Sequence, residues 1–238
     1  MRLLITRPRE DAGLLAAELH ALGHISVIEP LLEVHFRALE IAPGRYRGLL
    51  ATSANGVRAL NRCMQIDALR RLDLLAVGPA TAREAEICGF QKVIVAGGDV
   101  DALADRTAEM LRPDGLPLLH VSGAAAAGDL KGALEARGFA VERMIGYEAR
   151  ARGAFSQELI DDLTGGRIDG VLLYSPRTAV IFGQLVRAAG LERIMERLTC
   201  FCLSPAVAGQ LEALGPARTL VAAQPNQPAL LELLSAQG

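Results

Sequence analysis

The chain has 238 residues, 51% of them hydrophobic and 22% charged, with a formal net charge of -2. That composition excludes long-range disorder and supplies enough apolar material for one large domain or two small ones. The near-balance of 25 basic against 27 acidic residues also excludes a nucleic-acid binder that works by bulk charge.

In chain order, short apolar runs alternate with longer helical patterns. Leu3-Leu4-Ile5 reads as a strand rather than as the apolar core of a leader, so a cytoplasmic chain is expected. Thr6-Arg7-Pro8 follows, and then Asp11–Leu22, with Leu14, Leu15, Leu19 and Leu22 at helical spacing and Gly23 as the stop. Further runs predict strands at 25–28, 48–51, 74–77, 93–95, 118–121, 141–145, 171–174, 200–203 and 219–221. Ten such runs, mostly without polar alternation, are the pattern of parallel strands buried on both faces, hence an α/β protein. The longest uncharged apolar stretch, Leu198 to Leu211, contains Pro205 and falls short of the ~18 residues of a membrane span. Cys63, Cys88, Cys200 and Cys202 form no CxxC pair, so neither a disulfide framework nor a zinc site is expected.

A displaced internal repeat divides the strands. Ser53-Ala54-Asn55-Gly56-Val57 after one strand matches Ser175-Pro176-Arg177-Thr178-Ala179 after another, and Gly78-Pro79-Ala80-Thr81-Ala82 matches Ser204-Pro205-Ala206-Val207-Ala208. Residues 3–32 lie on 118–147 without a gap, aligning Leu3-Leu4 with Leu118-Leu119 and Gly23 with Gly138. One copy is therefore continuous over 38–148, and the other is split into 1–34 plus 153–238. Two extended crossings, 33–39 and 146–152, form a connecting two-stranded ladder. Two similar α/β domains on such a hinge predict a ligand cleft between them.

Ligands of parallel sheets bind at the carboxyl ends of the strands. The loops there are short and rich in hydroxyls: Thr6-Arg7-Pro8, Thr52-Ser53-Ala54-Asn55, Gly78-Pro79-Ala80-Thr81, Ser122-Gly123-Ala124, Ser175-Pro176-Arg177-Thr178 and Ser204-Pro205-Ala206. Such loops present backbone N–H groups at helix starts, which suit anions, although Ser, Thr and Asn are also ordinary helix caps. The candidate binding positions are Arg7, Thr52, Ser53, Asn55, Gly78, Ala80, Thr81, Ser122, Gly123, Ser175, Arg177, Ser204 and Ala206. No GxxxxGK[ST], GxGxxG or GxSxG motif is present, and Ala96-Gly97-Gly98-Asp99 is too short for a phosphate loop. Gly23 separates His20 from His24, which argues against a metal pair there. His120 reads as a core or rim histidine on a strand.

The ordered set Leu50–Val57, Ala76–Ala82, Gly138 to Tyr147-Glu148-Ala149, Tyr174-Ser175-Pro176 and Gln227-Pro228-Ala229-Leu230 resembles the uroporphyrinogen-III synthase family over nearly the whole chain. The resemblance implies two flavodoxin-like domains. It also implies cyclisation of the linear tetrapyrrole hydroxymethylbilane, with inversion of ring D, and no metal or other cofactor. A small interface between the two domains predicts a monomer, and a cytoplasmic chain is expected that takes its polycarboxylate substrate by transient hand-over from the preceding enzyme and engages neither nucleic acid nor membrane. Tyr147 matches the family's cleft tyrosine and is the expected catalytic residue. The chain departs from the family at Ser204-Pro205-Ala206-Val207-Ala208, which lacks the Thr-Thr pair of many members. It departs again at Ser122–Gly128, which lacks their basic residues. A non-catalytic two-domain binder of a small polyanion is the alternative reading.

Overall fold

The computed structural model describes residues 1–125 and 128–235. These separate into two compact units, one of Met1–Glu33 with the described residues from Arg150 onward, the other of Val34–Ala149. The chain runs β1 (Arg2–Ile5), α1 (Arg9–Ala21), β2 (Ile25–Ile28), β3 (Leu32–Phe36), β4 (Gly48–Ala51), α2 (Ala54–Leu60), α3 (Ile66–Leu69), β5 (Asp73–Ala76), α4 (Pro79–Ile87), β6 (Lys92–Val95) and α5 (Val100–Met110). It continues through β7 (Leu118–Gly123), α6 (Leu130–Glu135), β8 (Val141–Ala151), α7 (Gln157–Thr164), β9 (Gly170–Leu173), α8 (Pro176–Ala188), β10 (Thr199–Cys202), α9 (Pro205–Ala208), β11 (Arg218–Val221) and α10 (Gln227–Ser235).

The first unit carries a parallel sheet in the order β11-β10-β9-β1-β2. Numbered along the chain this is 2-1-3-4-5, the flavodoxin order. The second unit has β3-β8-β7-β4-β5-β6, parallel from β8 to β6. Its five parallel strands number 3-2-1-4-5 along the chain. The layout is the same as in the first unit, with β4 to β8 standing where β9, β10, β11, β1 and β2 stand, so the two chain orders differ by a circular shift. Gly23 and Gly138, aligned in the repeat, both adopt left-handed backbone (φ 79° and 85°) just beyond α1 and α6. That conformation ends a helix at no steric cost only for a residue without Cβ.

The strands are apolar throughout because both faces are covered. In the first unit Leu4, Val171, Leu173, Cys200 and Cys202 pack with α7, α8 and α9, while Leu3, Ile5, Leu172 and Phe201 pack on the opposite face with α1 and α10. The second unit repeats this with α2 to α4 on one face of its sheet and α5 with α6 on the other. All four cysteines are free and buried inside these layers.

Three details sharpen the sequence reading. Among the described residues the first of the two expected crossings is a strand, Leu32–Phe36, which lies beside β8 and adds to the ten expected runs. The run 141–145 and the crossing that follows it are one strand, Val141–Ala151. Helix α1 starts directly after Pro8 and ends at Ala21, and His24 lies beyond it with Nδ1 3.2 Å from the N-terminal amine. Among the described residues no helix is long and apolar enough to cross a membrane.

Candidate active site

In an open parallel sheet the ligand crevice lies beyond the carboxyl ends of the strands at which the chain order reverses. In the second unit that point falls between β4 and β7, whose ends carry Thr52-Ser53 and Ser122-Gly123. In the first it falls between β1 and β9, whose ends carry Thr6-Arg7 and Tyr174-Ser175.

In the second unit Ser53, in extended backbone, caps α2 by accepting from Gly56 N at 3.1 Å. A Cβ on Gly56 would lie 2.5 Å from Val121 O, so only glycine lets α2 sit this close to β7. On β8 a register shift pairs Ser122 with Ile145 but Gly123 with Tyr147, leaving Gly146 as the additional residue. Such an irregularity re-aims the following side chain. Tyr147 OH thereby reaches Ser53 Oγ at 2.8 Å. The Tyr147 ring lies against Gly123, where a Cβ would come within 2.9 Å of two ring carbons, and its centroid is 6.4 Å from that of Phe36. The Arg62 guanidinium lies 3.8 Å over Phe36, a cation–π contact at the edge of the cluster.

Charge and polarity surround this pair. Arg143 donates from Nε to Ser122 Oγ at 2.7 Å and from Nη2 to Gly123 O at 2.8 Å, clamping the turn after β7. Thr52 Oγ1 is 3.1 Å from His120 Nε2. Burial, with the nearby Arg143 charge, pulls the His120 pKa down to about 4, so its imidazole is neutral at physiological pH. Arg58 ties α2 to α4, donating to Asn55 Oδ1 within its own helix at 3.0 Å and to Glu84 Oε2 on α4 at 2.7 Å. In the first unit Arg7 lies 4.6 Å over the Tyr174 ring, donates to Gln227 Oε1 at 2.9 Å and pairs with Asp11 at 3.3 Å. Burial pushes the Tyr174 phenol up to about 12. Ser175 caps α8 through Thr178 N at 3.1 Å, the counterpart of Ser53.

The candidate positions thus divide. Thr52, Ser53, Ser122, Gly123 and Tyr147 lie together at strand ends of the second unit, and Arg7 and Ser175 lie at strand ends of the first. Ser122 is only 1% exposed and its hydroxyl is engaged by Arg143, so it holds the turn in place. Gly78 and Ala80 stand at the open start of α4 on the neighbouring strand, whereas Thr81 faces inward at 6% exposure. Arg177 and Ala206 are exposed and Ser204 is half-buried at the start of α9. The stretch Ala126–Ala127 of the loop without basic residues lies outside the described residues. Arg143, Tyr174 and Phe36 were not among the candidate site residues, although Tyr174 stood in one of the motifs that carry the resemblance. The signal for Arg143 was a cation inside the apolar run 141–145.

Chemically, the Ser53–Tyr147 pair is a proton donor. If Ser53 donates to Tyr147, the phenol proton faces the rim. If Tyr147 donates, Ser53 Oγ accepts twice and its own proton is left over. Either way one O–H remains for a ligand.

A family model described as uroporphyrinogen-III synthase HemD matches residues 14–232, more than nine-tenths of the chain. A uroporphyrinogen-III synthetase structure from Helicobacter pylori is 17% identical and superposes with a TM-score of 0.67, covering 100% of both chains. A mutant uroporphyrinogen III synthase from the extremely thermophilic bacterium Thermus thermophilus is 16% identical with a TM-score of 0.52, covering 99% of this chain and 98% of that one. At these identities the superpositions speak to the fold, and the family assignment rests on the sequence model. The chain belongs to the uroporphyrinogen-III synthase family.

Proposed function

We propose that the chain is a lyase of porphyrin and heme synthesis that cyclises hydroxymethylbilane to uroporphyrinogen III. The observation that carries this reading is the Ser53–Tyr147 hydroxyl pair at a strand-order reversal, with Thr52, Arg143 and open helix-start amides around it. The pyrrole nitrogen of the substrate expels the terminal hydroxyl. The C–O bond breaks, the oxygen takes the proton that Tyr147 or Ser53 presents, and water departs. The resulting azafulvene is attacked by the substituted carbon of ring D, forming a spiro intermediate. That intermediate fragments and recombines with ring D inverted, and a pyrrole carbon then loses its proton, which restores the hydroxyl that protonated the departing water. The net change is substrate to product plus water.

Such a reaction needs placement more than strong acid or base chemistry, because direct closure to the symmetric isomer competes. A phenol O–H need only hydrogen-bond the departing hydroxyl, which it can do without being a strong acid. The substrate's carboxylates give the loops their role. A hydrogen bond to a charged group contributes roughly 1.5–3 kcal/mol and a micromolar complex needs about 8 kcal/mol, so about three to five contacts suffice before ordering costs. Arg7, Thr52, Ser53, Asn55, Ser175, Arg177 and Ser204, with the backbone at Gly78, Ala80, Gly123 and Ala206, are the groups assigned to this. Thr81 and Ser122 shape the loops that present them. We infer a cytoplasmic monomer that takes its substrate by transient hand-over from the preceding enzyme of the same synthesis.

The test is an isomer assay. Hydroxymethylbilane is incubated with the protein, the products are oxidised, and type I and type III porphyrins are resolved. Type III product is expected, and Tyr147→Phe is expected to slow its single-turnover formation. Only type I product, as without enzyme, rejects the catalytic reading and leaves a polyanion binder.

A further inference from the structure

His120 is a buried titratable group that the proposed chemistry does not use. It sits inside β7 between Leu50 of β4 and Arg143 of β8, and is 3% exposed. Its Nε2 is 3.1 Å from Thr52 Oγ1, and its Nδ1 is buried with no hydrogen-bond partner among the described residues. An apolar side chain fills such a position at lower cost than an imidazole with one unpaired nitrogen.

The two tautomers differ in what they leave unpaired. With the proton on Nδ1, Nε2 accepts from Thr52 and a buried N–H has no acceptor. With the proton on Nε2, that N–H donates to Thr52 Oγ1 and only a lone pair is left over. Orphaned buried N–H groups are rarer than under-used acceptors, which selects the second arrangement. The consequence falls on Thr52. One lone pair of its oxygen is then held by His120, and its own O–H proton, which the imidazole no longer accepts, is available to another acceptor.

We infer that His120 is a positioning residue which, by donating from Nε2, fixes Thr52 as a hydrogen-bond donor to a carboxylate oxygen of the substrate. The inference rests on the proposed reading of Thr52 as a substrate-binding residue. It adds a polarity to that site, because a donor in this place favours an anion over a neutral ligand that needs an acceptor.

The first test needs no substrate. Long-range 1H–15N correlation on protein labelled with 15N-histidine reads the tautomer, and His120→Gln identifies the signal among the four histidines. A protonated Nε2 and bare Nδ1 are expected, and a protonated Nδ1 overturns the inference. The second test is a mutant cycle. Thr52→Val is expected to raise KM for hydroxymethylbilane about tenfold, with kcat changed less than about threefold. His120→Leu is expected to raise KM at least about threefold, the double variant to be no worse than Thr52→Val alone, and His120→Gln, which retains an N–H, to recover most of the loss. Fully additive penalties show that His120 serves only the fold and overturn the inference. If the wild-type protein makes no type III product, the proposed function fails. The same cycle is then read from the Kd of uroporphyrin III, followed by the porphyrin's own absorbance since the chain has no tryptophan. Additivity in that titration is equally fatal.

Discussion

Replacing Gly123 by alanine isolates the placement of the Tyr147 phenol from its chemistry. The added Cβ would lie 2.9 Å from Tyr147 Cε2 and Cζ and 3.0 Å from the hydroxyl oxygen. Carbon atoms in good contact stand about 3.5 Å apart, so the ring must retreat by about 0.6 Å or the β7 backbone must move. The ring is a rigid body with Phe36 beside it, and its oxygen is tied to Ser53 at 2.8 Å. A retreat of that size stretches the tie beyond good hydrogen-bond geometry. Overpacking of this kind costs about 1–3 kcal/mol of stability. Misplacement of a reacting group by about 1 Å costs about 10²-fold in rate, so a shift near half of that predicts a loss of about tenfold. Gly123 has ordinary backbone angles, so alanine brings no conformational strain of its own. The assay is single-turnover conversion of hydroxymethylbilane with the isomers resolved, beside a thermal melt. The expected result is a slower type III yield, a rising type I fraction and a Tm lowered by a few degrees. A Gly123→Ala protein with wild-type rate and isomer ratio would refute the claim that the phenol must stand where it does, and so would a Tyr147→Phe protein faster than Gly123→Ala.

Gly56→Ala directs a Cβ to 2.5 Å from the backbone oxygen of Val121, which cannot swing aside as a side chain can, so a loss of about 3 kcal/mol or more is expected in urea unfolding, above that of Gly123→Ala. His120, with a folded pKa of about 4 against 6.5 unfolded, contributes stability above pH 6.5 that is lost as pH falls towards 4, by about 3 kcal/mol, so His120→Gln should flatten unfolding free energy against pH across that window. Burial, aided by the neighbouring Glu142, raises Tyr46 to about 12, and burial raises Tyr174 to about 12 against the opposing Arg7 charge. In Tyr147→Phe protein, where these two are the remaining tyrosines, phenolate absorbance should therefore stay low at pH 11. Stability should fall as pH climbs from 10 towards 12, because the unfolded phenols ionise first.

Much of the fold was legible because burial on both faces leaves a plain mark. Leu3-Leu4-Ile5 and Cys200-Phe201-Cys202 read as strands since successive side chains enter opposite helical layers, and each layer demands apolar atoms. The repeat was legible because helix ends have few solutions. Gly23 and Gly138 occupy the same left-handed corner, and Ser53 and Ser175 the same cap. Leu32–Phe36 was legible as an extended crossing, but its limits were not, because hydrophobic alternation marks extended backbone while the partner β8 decides where pairing starts and stops. The 3-2-1-4-5 order of the second unit was equally hidden. Strand order depends on which non-local pairs form, and no local pattern encodes it.

The candidate site divides along the same line, and the division has a physical cause. Residues whose role is local were visible: a serine before a helix is a cap in any context, and Ser53 is one. Residues whose role depends on tertiary contacts were not. Arg143 is a lone cation in a strand until the turn after β7 bends its carbonyls toward the guanidinium. His120 is an ordinary core histidine until Thr52, just past the end of β4 and two residues beyond its Leu50 partner, comes within 3.1 Å. Even Tyr147, which a family resemblance picks out, owes its direction to the extra residue Gly146 in β8, where a Cβ would strike Val121 and Ala59, and to Gly123, which leaves room for its ring. The hydroxyl that does the proposed chemistry is thus placed by residues that carry no chemistry at all. Substitutions at those silent positions should damage turnover as surely as loss of the phenol.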